Sequence, residues 1–332
     1  MPEHGAPLDV GAMLSPAMWL KSQEAWMVRA ETLPSWRPGP TRQALLSFLE
    51  AAESVPIGER VACFDNDGTL WCERPRYIQL DFFLDALGGA IDGDPALRNR
   101  PEFAALLAED QAAIAEIGLE RIGLALAGLF EGVPPHTFCD RVREFMDRTV
   151  HSGLGLPLRS VVYQPMLELL EELRLRHFAI TIVTGGGTEF VRAISDDLYG
   201  VSPEAVVGTL IEYEFGRTAG GVPWPRRTSR IVGGANEGPA KVINIQTQLG
   251  RRPILAGGNS GGDREMLEWA CGGDGPGLAL LIDHDDEHRE FRYTSTPGTF
   301  EDSEPITDTA ARLGWTTVSM ANDWDVVFSE RG

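Results

Sequence analysis

Short apolar runs alternate with longer stretches of helical periodicity over most of the chain. The run Arg60-Val61-Ala62-Cys63-Phe64 is apolar and β-prone and follows Pro56-Ile57-Gly58, which is typical of a buried strand. A helix beginning near Pro165 leads into the next such run, and the order strand, helix, strand predicts parallel pairing. The pattern therefore predicts an α/β fold. Further strands are predicted at Phe178 to Val183, Val206 to Phe215, Pro253 to Ala256, Leu278 to Ile282 and Thr316 to Ser319.

Residues 72–160 interrupt this alternation, because they carry almost no β pattern. Their apolar residues recur at helical spacing, which predicts a helical insertion between the first strand and the second. Ser152-Gly153-Leu154-Gly155-Leu156-Pro157 has the Gly and Pro content of a hinge by which the chain returns. The apolar stripes are Phe82, Phe83, Ala86 and Leu87; Phe103, Leu106 and Leu107; Ile114, Ile117, Ile122, Leu126 and Phe130; and Phe138, Val142, Phe145 and Met146.

The patterns divide the chain into three parts. We expect residues 1–58 to form a helical segment packed on the core, residues 59–71 and 161–332 to form the α/β core, and residues 72–160 to form a helical cap. In the first part, one helix is predicted after Ser15-Pro16 and another from Thr41. In the core, residues 216–235 are rich in Gly, Pro and Arg, which predicts a hairpin or excursion followed by a loop.

Composition excludes some partners and leaves others open. The 332 residues include 29 Lys and Arg against 49 Asp and Glu, for a net charge of −20. Nucleic acid and anionic membranes attract clustered positive charge, so we expect neither as a partner. The four cysteines are scattered without metal-binding spacing, and Met1 to Leu14 lacks the pattern of a secretory signal. We therefore expect a cytoplasmic protein with reduced thiols, whose oligomeric state the sequence leaves open.

The first predicted strand ends in Asp65-Asn66-Asp67-Gly68-Thr69. Residues two apart in an extended chain point to the same side, so Asp65 and Asp67 can converge on one cation if the strand geometry continues. Gly68 allows a sharp turn after them. The carboxyl ends of strands are where open α/β sheets bind ligands. The alternative is a hydrated turn, because Asp, Asn and Gly are all common turn residues.

Three further segments lie at or near the ends of predicted strands or helices. Thr184-Gly185-Gly186-Gly187-Thr188 precedes a helix predicted from Glu189 to Leu198, and its amides could hold phosphate oxygens. Lys241 lies at the start of another helix. Asn259 and Asp263 follow the strand that begins at Pro253 and offer oxygen ligands suited to Mg²⁺. Taken singly, each feature has a simpler explanation. The Gly-rich segment also fits an ordinary connection between strand and helix, Lys241 a solvated side chain, and Asp263 a helix-capping residue.

Together the four segments are more specific. The order Asp-x-Asp-Gly-Thr, Thr-Gly-Gly, Lys and Gly-Asn-x-x-x-Asp resembles the haloacid dehalogenase superfamily of phosphohydrolases. The insertion after the first motif is similar to the cap of its phosphoserine phosphatase-like branch. The strings at 64–73, 163–170 and 258–263 resemble a bacterial subgroup of uncharacterised phosphatases. The resemblance implies a three-layer Rossmann-like parallel sheet and a Mg²⁺-dependent phosphomonoesterase acting on a small phosphorylated metabolite.

The resemblance also implies a role for each motif. Asp65 would attack phosphorus and form an aspartyl phosphate, and Asp67 would act as general acid and then general base. Lys241 would neutralise charge on the phosphoryl group. The remaining implied residues are Thr184 in catalysis; Thr69, Gly185 and Gly186 in substrate binding; and Asp65, Asp67, Asn259 and Asp263 as metal ligands. Glu73 and Arg74, with Arg76 and Tyr77, follow the first motif closely enough to be further candidates for substrate binding.

The last motif departs from the usual phosphatase pattern, and this keeps alternatives open. Its first position is Asn259 where phosphatases usually have Asp, and Gly261 replaces a further acid of the subgroup. Asn259 is similar to the asparagine of 2-haloacid dehalogenases, although those enzymes need no acid at the position of Asp67. A phosphotransferase of the same superfamily is a second alternative. A catalytically weak phosphate-binding protein is a third.

Overall fold

The computed structural model describes residues 32–328. Its centre is one seven-stranded sheet with the strand order β4-β3-β2-β1-β5-β6-β7. The helix predicted after Ser15-Pro16 lies outside the described residues. The strands are β1 (Val61–Phe64), β2 (Ala179–Gly187), β3 (Val206–Arg217), β4 (Pro223–Val232), β5 (Leu255–Gly258), β6 (Leu278–Asp283) and β7 (Thr316–Ser319).

All neighbouring strands pair in parallel except β3 and β4. The connection between β3 and β4, residues 218–222, is too short for a crossover, so the two strands form an antiparallel hairpin at the sheet edge. The hairpin predicted within residues 216–235 is therefore present, and its second strand makes the sheet mixed. Strand β1 lies at the centre, with β2 on one side and β5 on the other, so the carboxyl ends of these three strands meet at one edge.

Helices cover both faces of the sheet, as the alternation predicts. Six of them lie between β1 and β2, and the first five occupy residues 78–148, which we refer to as the helical insertion. The helices are α1 (Pro40–Ala51), α2 (Ile78–Gly93), α3 (Pro101–Leu107), α4 (Gln111–Ile117), α5 (Leu119–Gly128), α6 (Pro135–Arg148), α7 (Gln164–Leu175), α8 (Thr188–Arg192), α9 (Ser195–Tyr199), α10 (Pro239–Leu249), α11 (Arg264–Cys271), α12 (Ile306–Leu313) and α13 (Met320–Asp323).

Strand β1 is buried on both faces, and its side chains enter two different cores. Val61 and Cys63 pack with residues of α10 and α11. Ala62 and Phe64 pack on the opposite face with residues of α1 and α7. Alternate residues of a strand point to opposite faces, so a four-residue apolar run is enough to join both layers of helices to the sheet. The result is a three-layer α/β core.

Arg227 on β4 holds the helical insertion against the sheet. Its side chain is 2% exposed, and its guanidinium lies 4.6 Å from the ring centre of Phe138 in α6. It also donates hydrogen bonds to Glu189 (2.7 Å) and to the carbonyl of Ala127 in α5 (3.0 Å). A single buried cation thus connects the sheet edge, α8 and two helices of the insertion.

Two local predictions differ from the structure. The helix predicted from Glu189 to Leu198 is divided into α8 and α9, because Ile194 leaves helical geometry and Arg143 of the insertion donates to the carbonyl of Ala193. The strand predicted from Pro253 begins two residues later, at Leu255, and continues through Gly257 and Gly258. None of the helices between residues 32 and 328 combines the length and apolar character needed to cross a bilayer.

Candidate active site

The loop after β1 carries the two predicted catalytic acids. Asp65 is 6% exposed, and its amide donates to the carbonyl of Gly257 on β5 (2.9 Å). Gly68 has φ +73°, a value that an L side chain rarely adopts. A Cβ on Gly68 would also lie 1.9 Å from Asn259 Nδ2. Both the turn and the close approach of the two loops therefore require glycine here.

Asp67 lies on the wall of the cavity described below. Its Oδ1 accepts a hydrogen bond from Trp71 Nε1 (2.8 Å). A Cβ on Gly186 would lie 3.8 Å from its Oδ2, which places the second carboxylate oxygen beside the loop at the end of β2. Burial raises the pKa of Asp67 above its usual value. A raised pKa suits a carboxyl group that must give up a proton near neutral pH.

Lys241 connects the ends of three strands from its position in the first turn of α10. Its Nζ lies 2.6 Å from Asp65 Oδ1 and 2.6 Å from Asp263 Oδ1, and it donates to the carbonyl of Val183 at 2.9 Å. Burial alone would lower the pKa of Lys241, but Asp263 and Asp65 raise it above its usual value. The lysine therefore stays charged in a buried position, and is not a solvated side chain.

The site contains more buried negative charge than this lysine balances. Burial raises the pKa of Asp65 well above its usual range, and the carboxylates of Asp263 and Asp67 raise it further, although Lys241 acts in the opposite direction. Three carboxyl groups thus share one ammonium group. Such crowding of acids favours a cation bound beside them.

Asp263 is fully engaged by protein groups. Its Oδ1 binds Lys241, and its Oδ2 accepts hydrogen bonds from the amides of Asn259 (3.0 Å) and Ser260 (3.1 Å). These contacts fix the loop after β5 and hold the lysine in place. Direct ligation of a metal by Asp263, as the sequence predicted, would require one of these bonds to be replaced.

Asn259 faces the cavity and contacts the loop that follows the first motif. Its Nδ2 donates to Glu73 Oε1 (3.2 Å) and to Ser295 Oγ (2.9 Å), which leaves its Oδ1 as the atom available to a cation. Burial raises the pKa of Glu73 above its usual value. The predicted substrate-binding residue Glu73 is thus brought next to the predicted metal ligand Asn259, both on the cavity wall.

Only part of the motif at the end of β2 reaches the cavity. Gly185 and Gly186 line the cavity, whereas Thr184 is fully buried and is not on its wall. The Thr184 hydroxyl accepts a hydrogen bond from the Gly186 amide (2.9 Å), so it shapes the loop. Thr69 is likewise fully buried and off the wall, and its hydroxyl has no partner among residues 32–328. The structure thus brings Thr184 and Thr69 close to the site but not to its surface.

Several residues at the site have no signal in the sequence. Gln79 of α2 accepts a hydrogen bond from the Gly187 amide (2.9 Å), which ties the insertion to the β2 loop. Glu237 packs beside Gly185 and accepts the amides of Gly298 (3.1 Å) and Thr299 (2.9 Å). Both lie on the cavity wall. They are isolated polar residues without a motif, and only the folded chain brings them to the site.

His284 and Glu290 hold the loop after β1, which carries Asp65 and Asp67. His284 Nε2 lies 2.9 Å from the carbonyl oxygen of Gly68, and its Nδ1 lies 3.3 Å from Glu290. Glu290 also accepts hydrogen bonds from Cys72 (3.0 Å) and Tyr163 (3.1 Å). Burial alone would raise the pKa of Glu290. Its hydrogen bonds, of which the one with His284 has the largest effect, lower the pKa below its usual value. This buried group fixes the loop through residues that do not line the cavity.

A cavity of about 810 Å³ opens between these strand ends and the helical insertion. Asp65, Asp67 and Lys241 lie on its sheet side, and Arg74 and Tyr77 lie where the insertion begins. Arg74 lies over the ring of Tyr293, 4.4 Å from its centre. The catalytic candidates therefore share one cavity with the insertion.

The oxygen atoms on the sheet side fit a magnesium ion. Between residues 32 and 328, no three His, Cys, Asp or Glu side chains are grouped in a way that would hold a metal by themselves. Mg²⁺ usually binds through one or two carboxylates, waters and substrate phosphate, so a full protein cage is not required. The Asp65 carboxylate, the Asp67 carbonyl and the Asn259 amide oxygen are donors of this hard kind, and the excess of acids supplies the charge.

The fold and the site define a class of α/β proteins in which carboxyl groups of a candidate active site lie at the ends of parallel strands. A family model described as haloacid dehalogenase-like hydrolase matches residues 62–268. The match covers more than half of the 332 residues, and the chain belongs to this family. The predicted resemblance is confirmed at that level. A search of curated proteins found no match.

The chain is similar to several solved structures at low sequence identity. One is a protein of unknown function from Bordetella pertussis Tohama I, with 19% identity, a TM-score of 0.49, and coverage of 78% of this chain and 98% of that chain. Another, from Anaerococcus prevotii DSM 20548, is also of unknown function, with 14% identity, a TM-score of 0.49 and coverage of 86% and 94%. A probable phosphoserine phosphatase from Vibrio cholerae has 15% identity, a TM-score of 0.40 and coverage of 78% and 68%. These similarities are too low to support a conclusion about activity.

Proposed function

We propose that the protein is a Mg²⁺-dependent phosphomonoesterase that acts through an aspartyl phosphate. The observation that carries the proposal is the contact of Lys241 with Asp65 at 2.6 Å, on the wall of a cavity that also receives Asp67. A nucleophilic carboxylate, a second carboxyl group and a buried cation are the groups that phosphoryl transfer requires. Membership of the hydrolase family supports the same reaction class.

The chemistry divides between the two aspartates. The Asp65 carboxylate attacks phosphorus as the bond to the leaving oxygen breaks, and Asp67 donates its proton to that oxygen. Asp67 then takes a proton from the water that attacks the aspartyl phosphate, which releases phosphate and restores Asp65. Lys241 holds Asp65 in place and offsets negative charge on the phosphoryl group. A magnesium ion at Asp65, the Asp67 carbonyl and Asn259 would supply further charge compensation and orient the phosphate.

Phosphate release from p-nitrophenyl phosphate tests the proposal. We expect turnover with Mg²⁺, loss with EDTA and loss in Asp65→Asn. Asp67→Asn should slow an alkyl phosphate more than p-nitrophenyl phosphate, because p-nitrophenol leaves without help from an acid. Asp140→Asn, at a side chain that is 69% exposed, is the control and should keep full activity. Full activity in Asp65→Asn would rule the mechanism out.

The same preparation distinguishes the alternatives. A 2-haloacid dehalogenase would release halide from a 2-chloro acid without added metal. A phosphotransferase would pass phosphate to an added alcohol faster than to water. A phosphate-binding protein would bind phosphate esters and release nothing. We favour a phosphatase over a dehalogenase, because the carboxyl group of Asp67 on the cavity wall is an acid/base that dehalogenation does not use.

A further inference from the structure

The cavity beyond the catalytic residues is built largely from apolar side chains. All four of the helices α2 to α5 contribute to its wall, which continues directly from the aspartates. A bound phosphate ester would therefore place its phosphoryl group against the sheet and its leaving group against this wall. Among the apolar residues that line it are Phe83, Leu84, Leu106, Ile114, Leu119 and Ile122.

No cationic side chain of the helical insertion lines the cavity. Two arginines precede the insertion on the wall: Arg76 is bound to Asp81 (2.6 Å) and Glu109 (3.2 Å), whereas Arg74 has no carboxylate partner among residues 32–328. The other polar groups there include the neutral Gln79 and Gln111. A carboxylate or second phosphate placed against the insertion itself would meet apolar carbon and the Glu109 carboxylate, and would lose hydration without a partner.

The size of the cavity is also informative. Its volume of about 810 Å³ is near the upper end of the roughly 300–1,000 Å³ typical of small-molecule sites. A phosphoryl group occupies only the sheet side. Most of the remaining space lies between apolar side chains, which favour a leaving group of several carbon atoms.

We propose that the substrate is a phosphate monoester of an alcohol with an apolar carbon chain, and that this chain lies against the helical insertion. This inference rests on the proposed phosphatase function. The protein would then select its substrate by burying the apolar carbon chain of the leaving group. Recognition of a second charge on the leaving group is then not required.

A series of alkyl phosphates tests the inference. We expect kcat/KM to rise about fourfold for each methylene added from ethyl to hexyl phosphate, since a buried methylene contributes about 0.8 kcal/mol. O-phosphoserine and glycerol 3-phosphate should be poorer substrates than butyl phosphate. Equal rates across the series, or a preference for O-phosphoserine, would overturn the inference.

Two exposed leucines of the insertion provide a matched pair of variants. Leu119 is 53% exposed and lines the cavity at the start of α5, whereas Leu107 is 45% exposed at the end of α3 and does not line it. Leu119→Gln should lower the hexyl-to-ethyl ratio of kcat/KM several-fold. Leu107→Gln should leave this ratio unchanged. Equal ratios in the two variants would contradict the placement of the carbon chain.

A binding measurement separates failure of this inference from failure of the proposed function. In Asp65→Asn, calorimetry with ethyl, butyl and hexyl phosphate reports affinity without chemistry. Affinity that rises with chain length supports the apolar wall even if the wild-type protein releases no phosphate. Affinity independent of chain length, together with turnover of p-nitrophenyl phosphate, leaves the phosphatase in place and overturns the substrate class.

Discussion

Asp263 binds Lys241 at 2.6 Å through one carboxylate oxygen and accepts two backbone amides through the other. From this arrangement we propose that Asp263 is a positioning residue and that Asn259 offers the better placed oxygen for a cation. The two residues lie four positions apart, at the end of the same strand. Their substitution should therefore have different effects on the metal requirement.

We expect Asn259→Leu to raise the Mg²⁺ concentration for half-maximal phosphate release by about tenfold or more. Asp263→Asn should instead lower kcat roughly 10- to 100-fold, as loss of a supporting contact usually does, with little change in the Mg²⁺ requirement. Titration of both variants with Mg²⁺ checks the prediction. A larger shift of the Mg²⁺ requirement in Asp263→Asn would show that Asp263 ligates the metal directly.

Gly68→Ala should reduce both stability and activity. Its φ of +73° makes a side chain cost about 1–3 kcal/mol in the backbone, and the new Cβ would displace Asn259. Gly314→Ala is the matched control, since Gly314 has φ +70° and open space around it. Urea unfolding should show destabilisation in both variants, and phosphate release should fall only in the first. An active Gly68→Ala enzyme would show that Asn259 can move without consequence.

Arg227→Met should destabilise the protein by about 3 kcal/mol, because it leaves the carboxylate of Glu189 without its buried partner. Arg226→Met removes a neighbouring ion pair with Glu214 whose side chains are 58% and 40% exposed, and it should have a much smaller effect. Chemical denaturation of both variants measures the difference. Comparable effects would mean that Arg227 does not hold the helical insertion to the sheet.

Glu290 should make stability depend on pH. Its pKa is held below the usual value of 4.5 in the folded protein, so its ionised form stabilises the fold above that pH. The stabilisation is lost as the pH falls through the folded-state pKa. In Glu290→Gln, the free energy of unfolding should change less with pH in this range. Glu287→Gln, at an exposed position, should keep the slope of the wild type, and an unchanged slope in Glu290→Gln would contradict the prediction.

Much of the sheet could be predicted because its signals are local. Strands such as β1 and β6 are short apolar runs, and residues such as Val61 and Ala62 enter opposite cores simply by alternation. The meeting of Asp65 and Asp263 could also be expected, because the carboxyl ends of parallel strands share one edge. The place of Lys241 was implied only by the resemblance to the family. The roles assigned to these residues stay predictions until they are measured.

The remainder of the site depends on contacts between distant parts of the chain. Glu73 and Asn259 are 186 residues apart, and His284 lies 216 residues from Gly68. No periodicity or motif connects such residues, since only the folded topology brings them together. The burial of Thr184 was missed for a related reason, because its motif does not tell whether its hydroxyl faces the cavity or its own loop.

The segment that contains the helical insertion is joined at its two ends, where the chain leaves the core and returns to it. Trp71 pairs with Val162, and the amide of Cys72 donates to the carbonyl of Val161 at 3.0 Å. The chain between these residues is consequently a closed loop with respect to the sheet. Its helices can change in length or sequence during evolution without altering the order of any strand. A new leaving-group pocket could thus arise above an unchanged set of catalytic aspartates, by exchange of one continuous segment.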